Sequence, residues 1–137
     1  MTRYKLDVEA LIYWIREVNG LLRLGATIVV EGKNDLVSLG KLGINGRMIT
    51  LHELKRSIRS GEDLAGQSFM LLFDFDEEGH HIHKEIKREL QARGAVVLDH
   101  IRKGYRCLGL PPNVEESYSY VVKRVRHWRE IRNFSLR

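Results

Sequence analysis

The stretch FMLLFDFDEEG, residues 69–79, places five consecutive apolar residues directly before an acidic turn. A continuous apolar run of this length is typical of a central strand covered on both faces by other elements. A second run, ATIVV at residues 26–30, is apolar and rich in β-branched side chains, and it leads directly into EGKND at residues 31–35. Two buried strands that each end in carboxylates therefore decide the fold prediction.

The segments around these two strands alternate between helical and strand patterns. Apolar residues at helical spacing, together with capping residues, predict helices at 7–22, 35–42, 52–60, 82–90 and 113–134. Short apolar runs predict two further strands, at 48–51 and 95–98. Strands that alternate with helices are typical of an α/β fold, so we predict about four mostly parallel strands with helices on both faces of the sheet.

Length and composition restrict the class of protein. With 137 residues and a net charge of +5, the chain fits a single domain spanning 1–137, and its basic excess favours a polyanionic partner such as nucleic acid. The single cysteine, Cys107, excludes an internal disulfide. No apolar run approaches the roughly 20 residues of a membrane-spanning helix, and the first residues lack a signal-peptide pattern. We therefore expect a cytoplasmic protein without a membrane partner.

The carboxylates that follow the two buried strands predict a metal site. In parallel sheets, ligands bind beyond the carboxyl ends of the strands. Asp74 and Asp76 are two residues apart in extended chain, so both can point to one ion while Phe75 turns towards the core. Two close carboxylates repel each other unless a cation such as Mg²⁺ neutralises them, and Mn²⁺ is a substitute. The alternative is structural, because acidic residues also favour the first turns of helices.

The neighbours of these acids fit the same interpretation. Gly32 and Gly79 permit tight turns and a close approach of the backbone. Lys33 can meet a phosphate as a point charge, and Glu31 adds a third carboxylate at the predicted edge. Glu31, Lys33, Asp74 and Asp76 are therefore our candidate catalytic residues, and the three acids among them are the candidate metal ligands.

Two motifs, IVVEGKNDLVSL at 28–39 and LLFDFDEEG at 71–79, resemble the Toprim domain. That domain occurs in type IA and type II topoisomerases, bacterial-type primases, the bacterial 5S-rRNA maturation ribonuclease, OLD-family nucleases and recombination-repair proteins. The resemblance covers about 26–110 and implies a Toprim fold. The predicted N-terminal helix 7–22 and a basic C-terminal helix 113–134 lie outside it.

The resemblance also implies roles for individual residues. Glu31 matches the family glutamate, a general base or acid in phosphoryl transfer, and Asp74 and Asp76 match the D-x-D pair that binds Mg²⁺. Lys33 and Asp35 resemble the E-G-K-x-D form of the ribonuclease branch. One departure is that His80 stands where topoisomerases carry the last acid of D-x-D-R-E-G-E. The secondary site candidates are Asp35, Glu78, Gly32, Gly79 and His80.

Two basic clusters are candidate phosphate contacts in addition to Lys33. One follows the fourth predicted strand and the other lies in the predicted C-terminal helix: Arg102, Lys103 and Arg106, and Lys123, Arg124, Arg126, Arg129 and Arg132. Binding through such residues weakens as salt rises, whereas the structural alternative is a solvated helix face. The apolar stripe of the last helix ends at Trp128. We therefore expect the chain beyond Trp128 not to pack against the core.

The motifs leave three functions open. A Mg²⁺-dependent nuclease acting on structured RNA is the first, with ribosomal RNA or a ribonucleoprotein as candidate targets and RNA favoured over DNA. A non-catalytic RNA, DNA or ribonucleoprotein binding module is the second. A primase-like nucleotidyl transferase working with a separate zinc-binding partner is the third. The chain lacks room for a topoisomerase cleavage domain and lacks a G-x-x-x-x-G-K-[ST] motif. Monomer and homodimer both remain open.

Overall fold

Four strands form one sheet in the computed structural model, which describes residues 5–136. Strands β1 (Thr27–Val30), β2 (Met48–Thr50), β3 (Ser68–Leu71) and β4 (Val96–Val97) lie in the order β2-β1-β3-β4, and each neighbouring pair is parallel. The predicted α/β class with a four-stranded sheet is confirmed. The two central strands, β1 and β3, are those that the apolar runs identified.

Helices cover both faces of this sheet. They are α1 (Val8–Arg23), α2 (Lys33–Leu42), α3 (Leu51–Arg59), α4 (Glu77–Ala92), α5 (Asp99–Arg106), α6 (Ser117–Arg124) and α7 (Trp128–Ser135), with a single 3₁₀ turn at Val114–Glu116. The Asp7 carboxylate caps α1 by accepting a hydrogen bond from Ala10 N–H. None of the helices in 5–136 is long and apolar enough to cross a bilayer.

The core consists of two apolar layers, one on each face of the sheet. Alternate side chains of β1 and β3 enter opposite layers, as the two-residue period of a strand requires. One layer packs these strands against α1, α2, α5, α6 and α7, and it includes Ile28, Val30, Met70 and Leu72. The other packs them against α3 and α4, and it includes Val29, Phe69, Leu71 and Phe73. Burial on both faces explains why the central strands are apolar at every position after the first residues, Thr27 and Ser68.

Helix α5 was not predicted from the sequence. The sequence pattern indicated only a basic cluster here, Arg102, Lys103 and Arg106. Residues 99–106 form a helix that buries Ile101, Arg102 and Tyr105. The i, i+4 spacing of Ile101 and Tyr105, continued by the buried Leu108, is the signal that identifies the helix. The helix is short, and charged residues interrupt the pattern, so the apolar stripe is narrow.

The prediction of one continuous helix over 113–134 is wrong. The chain forms the 3₁₀ turn, then α6, and it leaves helical geometry at Val125 (φ −116°, ψ 104°) and at His127, which has a positive φ of 60°. The side chain of Asn113 makes no capping hydrogen bond. The break redirects the chain before Trp128, which explains why the apolar stripe of α6 does not continue into α7.

The expectation that the chain beyond Trp128 is unpacked is also wrong. Trp128 is 2% exposed, and Ile131 and Leu136 pack against the same core layer as α1 and α2. The Arg132 guanidinium donates a hydrogen bond to the Lys41 carbonyl, with 2.6 Å between nitrogen and oxygen. Helix α7 therefore docks on the C-terminal end of α2.

The docking of α7 predicts a large effect of Trp128→Ala on stability. Removal of a fully buried aromatic ring costs about 3–5 kcal/mol of unfolding free energy, whereas Tyr13→Ala, at a ring 63% exposed, should cost less than about 1 kcal/mol. Urea denaturation of both variants measures the difference. Equal costs for the two variants would show that α7 does not dock as described.

Candidate functional site

The ends of β1 and β3 bring two acidic residues together. Leu72 continues the pairing beyond β3, because its N–H donates to the Val29 carbonyl over 2.9 Å. Two residues later, Asp74 N–H donates to Oε1 of Glu31 over 3.0 Å. This hydrogen bond links the two predicted motifs directly, at the carboxyl edge of the sheet where ligands of parallel α/β proteins bind.

A cleft of about 560 Å³ opens at this edge. We call it the acidic cleft, and its lining residues are Glu31, Gly32, Lys33, Asn34, Asp35, Asp74 and Glu115. Four carboxylates and one ammonium group thus share one concave surface. Lys33 is exposed in the first turn of α2, so its charge is available to a ligand in the cleft.

Burial and mutual repulsion raise the pKa of three of these carboxyl groups. For Glu31, Asp35 and Asp74 the loss of hydration on burial is the largest cause, and the charges of neighbouring carboxylates raise the pKa further. Hydrogen bonds from main-chain N–H groups act in the opposite direction in each case. The folded chain therefore holds these charges at a cost that a cation in the cleft would reduce.

Three acidic or histidine candidates lie outside the lining of the cleft. Asp76 is exposed and caps α4, where its Oδ1 accepts from Gly79 N–H over 2.7 Å. Glu78 and His80 are exposed in the first turns of the same helix. Within residues 5–136, no three His, Cys, Asp or Glu side chains are gathered into a preformed metal-binding group. The Glu31 side chain contacts the Asp74 main chain directly. The charge of Asp76 raises the pKa of both Glu31 and Asp74, so Asp76 lies near the two other acids. Shared binding of one cation by the three acids stays a prediction.

The segment before α6 fixes the Asp74 side chain. Val114 N–H donates to Asp74 Oδ1 over 3.0 Å, and Phe75 N–H donates to the Pro112 carbonyl over 2.8 Å. Glu115 follows in the 3₁₀ turn and enters the cleft, where its carboxylate lies 3.4 Å from Nδ2 of Asn34. Pro112 to Glu115 lie outside the predicted family core, so the site includes a part of the chain that the motifs do not cover.

The buried Arg102 lies behind the acidic loop. Its Nη1 donates to the Phe73 carbonyl, and its Nη2 donates to the Asp74 carbonyl over 3.0 Å. Burial and the neighbouring Arg106 lower the pKa of Arg102 to about 10, so the guanidinium is charged at neutral pH. The sequence placed Arg102 among surface contacts for a phosphate backbone. The structure corrects this placement, because the side chain is inside and is engaged by the protein's own main chain.

The other basic candidates are on the surface or at a helix junction. Lys103 and Arg106 are exposed on α5. Arg132 is half-buried, and it bonds the end of α2 instead of facing solvent freely. We use the name basic corner for the exposed cations that surround the break between α6 and α7: Lys123, Arg124, Arg126 and Arg129. There the Arg124 guanidinium lies 3.4 Å from the centre of the Tyr120 ring.

Comparison with known proteins places the chain among archaeal relatives. No family model matches it. A UPF0292 protein of Methanocaldococcus jannaschii is 35% identical over 103 residues, which cover 72% of this chain and 80% of that protein. The chain belongs to the UPF0292 family. A further UPF0292 protein, from Pyrococcus abyssi, is 28% identical over 128 residues and matches 91% of this chain and 92% of its own length.

A solved structure shares the fold of this UPF0292 chain. It is described as a putative protein from Aquifex aeolicus, and it has a TM-score of 0.58 and 30% sequence identity. The alignment covers 76% of this chain and 94% of that one. This similarity supports the parallel α/β architecture described above.

The sequence patterns did not indicate Glu115 or the roles of Val114 and Arg102. Glu115 was inside the segment predicted as the start of a basic helix, and no local pattern shows that this segment returns to the sheet edge. Arg102 was grouped with its charged neighbours because its helix was not recognised. Its position beside Ile101, one turn before Tyr105, is the available signal that it faces the interior.

The two motif glycines differ in what they require. A Cβ on Gly79 would lie 1.9 Å from the Asp74 carbonyl oxygen, so only glycine allows α4 to pass this close to the acidic loop. A Cβ on Gly32 would meet nothing within 4 Å, and its φ of −145° is open to any residue. The prediction of a close backbone approach is therefore confirmed at Gly79, whereas the geometry gives no steric need for glycine at Gly32.

This difference predicts that alanine lowers the stability of the protein at position 79 but not at position 32. Gly79→Ala should lose about 1–3 kcal/mol of unfolding free energy, because the helix or the Asp74 loop must move away. Gly32→Ala should stay within about 0.5 kcal/mol of wild type. Urea denaturation compares the two. A Gly79→Ala variant as stable as Gly32→Ala would contradict the close approach.

Removal of one carboxylate charge from the acidic cleft should stabilise the folded protein, and the size of this gain should depend on pH. Because the pKa of Glu31 is higher in the folded chain than its ordinary value of 4.5, the folded state binds more protons than the unfolded state just above pH 4.5. Wild-type stability should therefore rise as pH falls through that window. Glu31→Gln, which keeps an oxygen acceptor for Asp74 N–H, should be more stable than wild type at pH 7 without divalent cations.

The difference in stability between the two proteins should shrink as the pH falls towards 4.5, because Glu31 increasingly carries a proton in the folded chain. Urea denaturation between pH 7 and pH 4.5, in EDTA, gives the two curves. Glu85→Gln on the exposed side of α4 is the control for loss of one surface carboxylate. A constant difference between wild type and Glu31→Gln across the whole pH range would contradict the assignment.

Proposed function

We propose that this UPF0292 chain is a Toprim-type, Mg²⁺-dependent nuclease that cleaves phosphodiester bonds in structured RNA. The observation that carries the proposal is the meeting of Glu31 and Asp74, at the ends of two adjacent parallel strands, in a cleft that also holds Lys33. A glutamate, an aspartate and a lysine at one sheet edge provide a proton carrier, an oxygen ligand and a phosphate contact.

The Toprim assignment rests on the two sequence motifs and is supported by their placement. The E-G-K-x-D motif follows β1 and the D-x-D motif follows β3, and these strands are direct neighbours in the sheet. Phe75, the middle residue of D-x-D, turns inward and stacks on Tyr105 with 4.7 Å between ring centres. Asp74 lines the acidic cleft and Asp76 is exposed, so Phe75 alone of the three residues packs into the core.

The donor set of the acidic cleft fits Mg²⁺, with Mn²⁺ as a substitute. Mg²⁺ is usually held by one or two carboxylates, several waters and a substrate phosphate, so the cleft does not need three converging acids. Glu31 and Asp74 are oxygen donors whose charges are partly dehydrated and close to each other. Asp76 uses Oδ1 to cap α4 and has a second carboxylate oxygen. When bound, the cation would polarise the scissile phosphate and stabilise the leaving oxygen.

The side chains of the cleft supply the remaining chemistry. The raised pKa of Glu31 suits a group that takes a proton from the attacking water and later releases it. Lys33 lies at the first position of α2, where the helix N-terminus adds partial positive charge for a phosphate. Asp35 accepts from Gly32 N–H over 3.0 Å, so it shapes the turn that carries Lys33.

The choice of RNA rests on the resemblance to the ribonuclease branch and on the basic corner. Lys123, Arg126 and Arg129 are exposed, and they are suited to a phosphate backbone. The flat guanidinium of Arg124 over Tyr120 offers a stacking surface for an unpaired base. Ribosomal RNA or a ribonucleoprotein is the proposed target class. One cysteine suits a reducing compartment, so we propose cytoplasmic action.

Cleavage by the purified 137-residue protein tests the proposal. Structured RNA, duplex DNA and single-stranded DNA are incubated with Mg²⁺ or with EDTA. RNA should be cleaved only with Mg²⁺, and Glu31→Gln or Asp74→Asn should slow cleavage by roughly 100-fold or more. Asp63→Asn is the matched control, since Asp63 is exposed in the loop before β3, at the opposite edge of the sheet. Equal rates for Asp74→Asn and wild type would exclude the mechanism.

The second candidate is a nucleic-acid binding module without cleavage, favoured by the basic corner. It predicts RNA affinity that falls with salt and weakens when Arg126 and Arg129 are changed to Gln, with intact RNA recovered at every Mg²⁺ concentration. The third candidate, nucleotidyl transfer, would instead incorporate labelled nucleotides on a template. The cleavage and binding assays separate the first two functions, and the incorporation assay identifies the third.

A further inference from the structure

Arg102 joins the loop that carries Asp74 to helix α5. The guanidinium is a planar fork, and its two terminal nitrogens reach two successive main-chain carbonyls, those of Phe73 and Asp74. The side chain is only 7% exposed. Burial of a guanidinium costs free energy, and hydrogen bonds to main-chain oxygens offset part of that cost. We therefore ask what the protein gains from holding these two oxygens in place.

The two carbonyls flank the point where the chain leaves the sheet. Phe73 is the last fully buried residue of the run, and the next residue, Asp74, lines the acidic cleft. The Asp74 N–H points to Glu31, while its carboxylate is held by Val114 N–H. Rotation of the peptide between Phe73 and Asp74 would break the first of these bonds and displace the second. Arg102 opposes that rotation by holding the carbonyls on the other side of the chain.

Arg102 is itself fixed by aromatic packing. Its guanidinium carbon lies 4.1 Å from the centre of the Phe75 ring, and Phe75 stacks on Tyr105. Tyr105 in turn meets the edge of Trp14, whose Nε1 donates to the Ile101 carbonyl over 2.9 Å. The fork is therefore held in one orientation before any ligand arrives, as a preorganised site requires.

We propose that Arg102 is a positioning residue, whose forked guanidinium holds the Phe73 and Asp74 carbonyls so that the Asp74 carboxylate stays beside Glu31 for cation binding. The role in cation binding rests on the proposed function. The effect of Arg102 on the position of the loop can be measured without a cation. A positive charge alone does not meet the requirement, because two carbonyls must be held at once. Lysine, a single point donor, can satisfy only part of it.

The test compares Arg102→Met and Arg102→Lys with wild type, using the 137-residue chain. Arg88→Met is the matched control, because it removes one guanidinium from the exposed side of the neighbouring α4. The first measurement is amide hydrogen exchange by NMR without divalent cations, at Asp74, Phe75 and Val114. The Ile28 amide, which donates to the Arg47 carbonyl, serves as the reference for general loosening. The second measurement is Mn²⁺ binding, followed by loss of the free-ion electron paramagnetic resonance signal.

Arg102→Met should exchange faster at the three loop amides relative to Ile28, and it should bind Mn²⁺ about 10- to 100-fold more weakly, the usual effect of removing an outer-shell partner. Arg102→Lys should fall between Arg102→Met and wild type in both measurements. Arg88→Met should match wild type. If Arg102→Met does not fold, the exchange rates and the Mn²⁺ affinity of Arg102→Lys decide whether the proposal holds.

Wild-type exchange at the loop amides together with wild-type Mn²⁺ affinity in Arg102→Lys or Arg102→Met would overturn the proposal. Faster exchange at Ile28 by the same factor would also overturn it, because the effect would then be general. If the wild-type chain binds no Mn²⁺, the metal part of the proposed function fails, and hydrogen exchange by itself decides whether Arg102 positions the loop. The two failures are thus distinguishable.

Discussion

The parallel pairing of β1 with β3, buried on both faces, is the constraint on which the candidate site depends. It aligns the ends of two strands that are far apart in sequence, so that the Glu31 carboxylate accepts from Asp74 N–H. The two residues are 43 positions apart in the chain. Because the register of a buried strand pair cannot slip without exposing its apolar side chains, the distance between the two motifs is set by the core and not by the loops.

The chain maintains this site at an electrostatic cost. Carboxyl groups that are partly removed from water and near one another favour the protonated form, and main-chain N–H groups offset only part of this preference. Folded proteins tolerate such local instability where it serves a ligand, and a divalent cation is the ligand whose charge would relieve it. The buried cation of Arg102 gives partial compensation from behind the loop, since its charge lowers the pKa of Asp74.

The sequence predicted the features that depend on local pattern. The apolar runs identified β1 and β3, and their helical neighbours followed from spacing and capping residues such as Asp7. The path from Pro112 to Glu115 was not predictable, because its return to the sheet edge is decided by long-range hydrogen bonds to Asp74 and Phe75. The break at His127 was missed for a related reason, since no proline or glycine marks it.

The outer strands of the sheet are very short. Strand β4 contains two residues, Val96 and Val97, and β2 contains three. Short borders offer few unpaired main-chain groups to a neighbouring molecule, which is one way in which natural proteins avoid forming continuous β-structure between copies. Pairing of this sheet with a second copy through β2 or β4 would therefore form few main-chain hydrogen bonds.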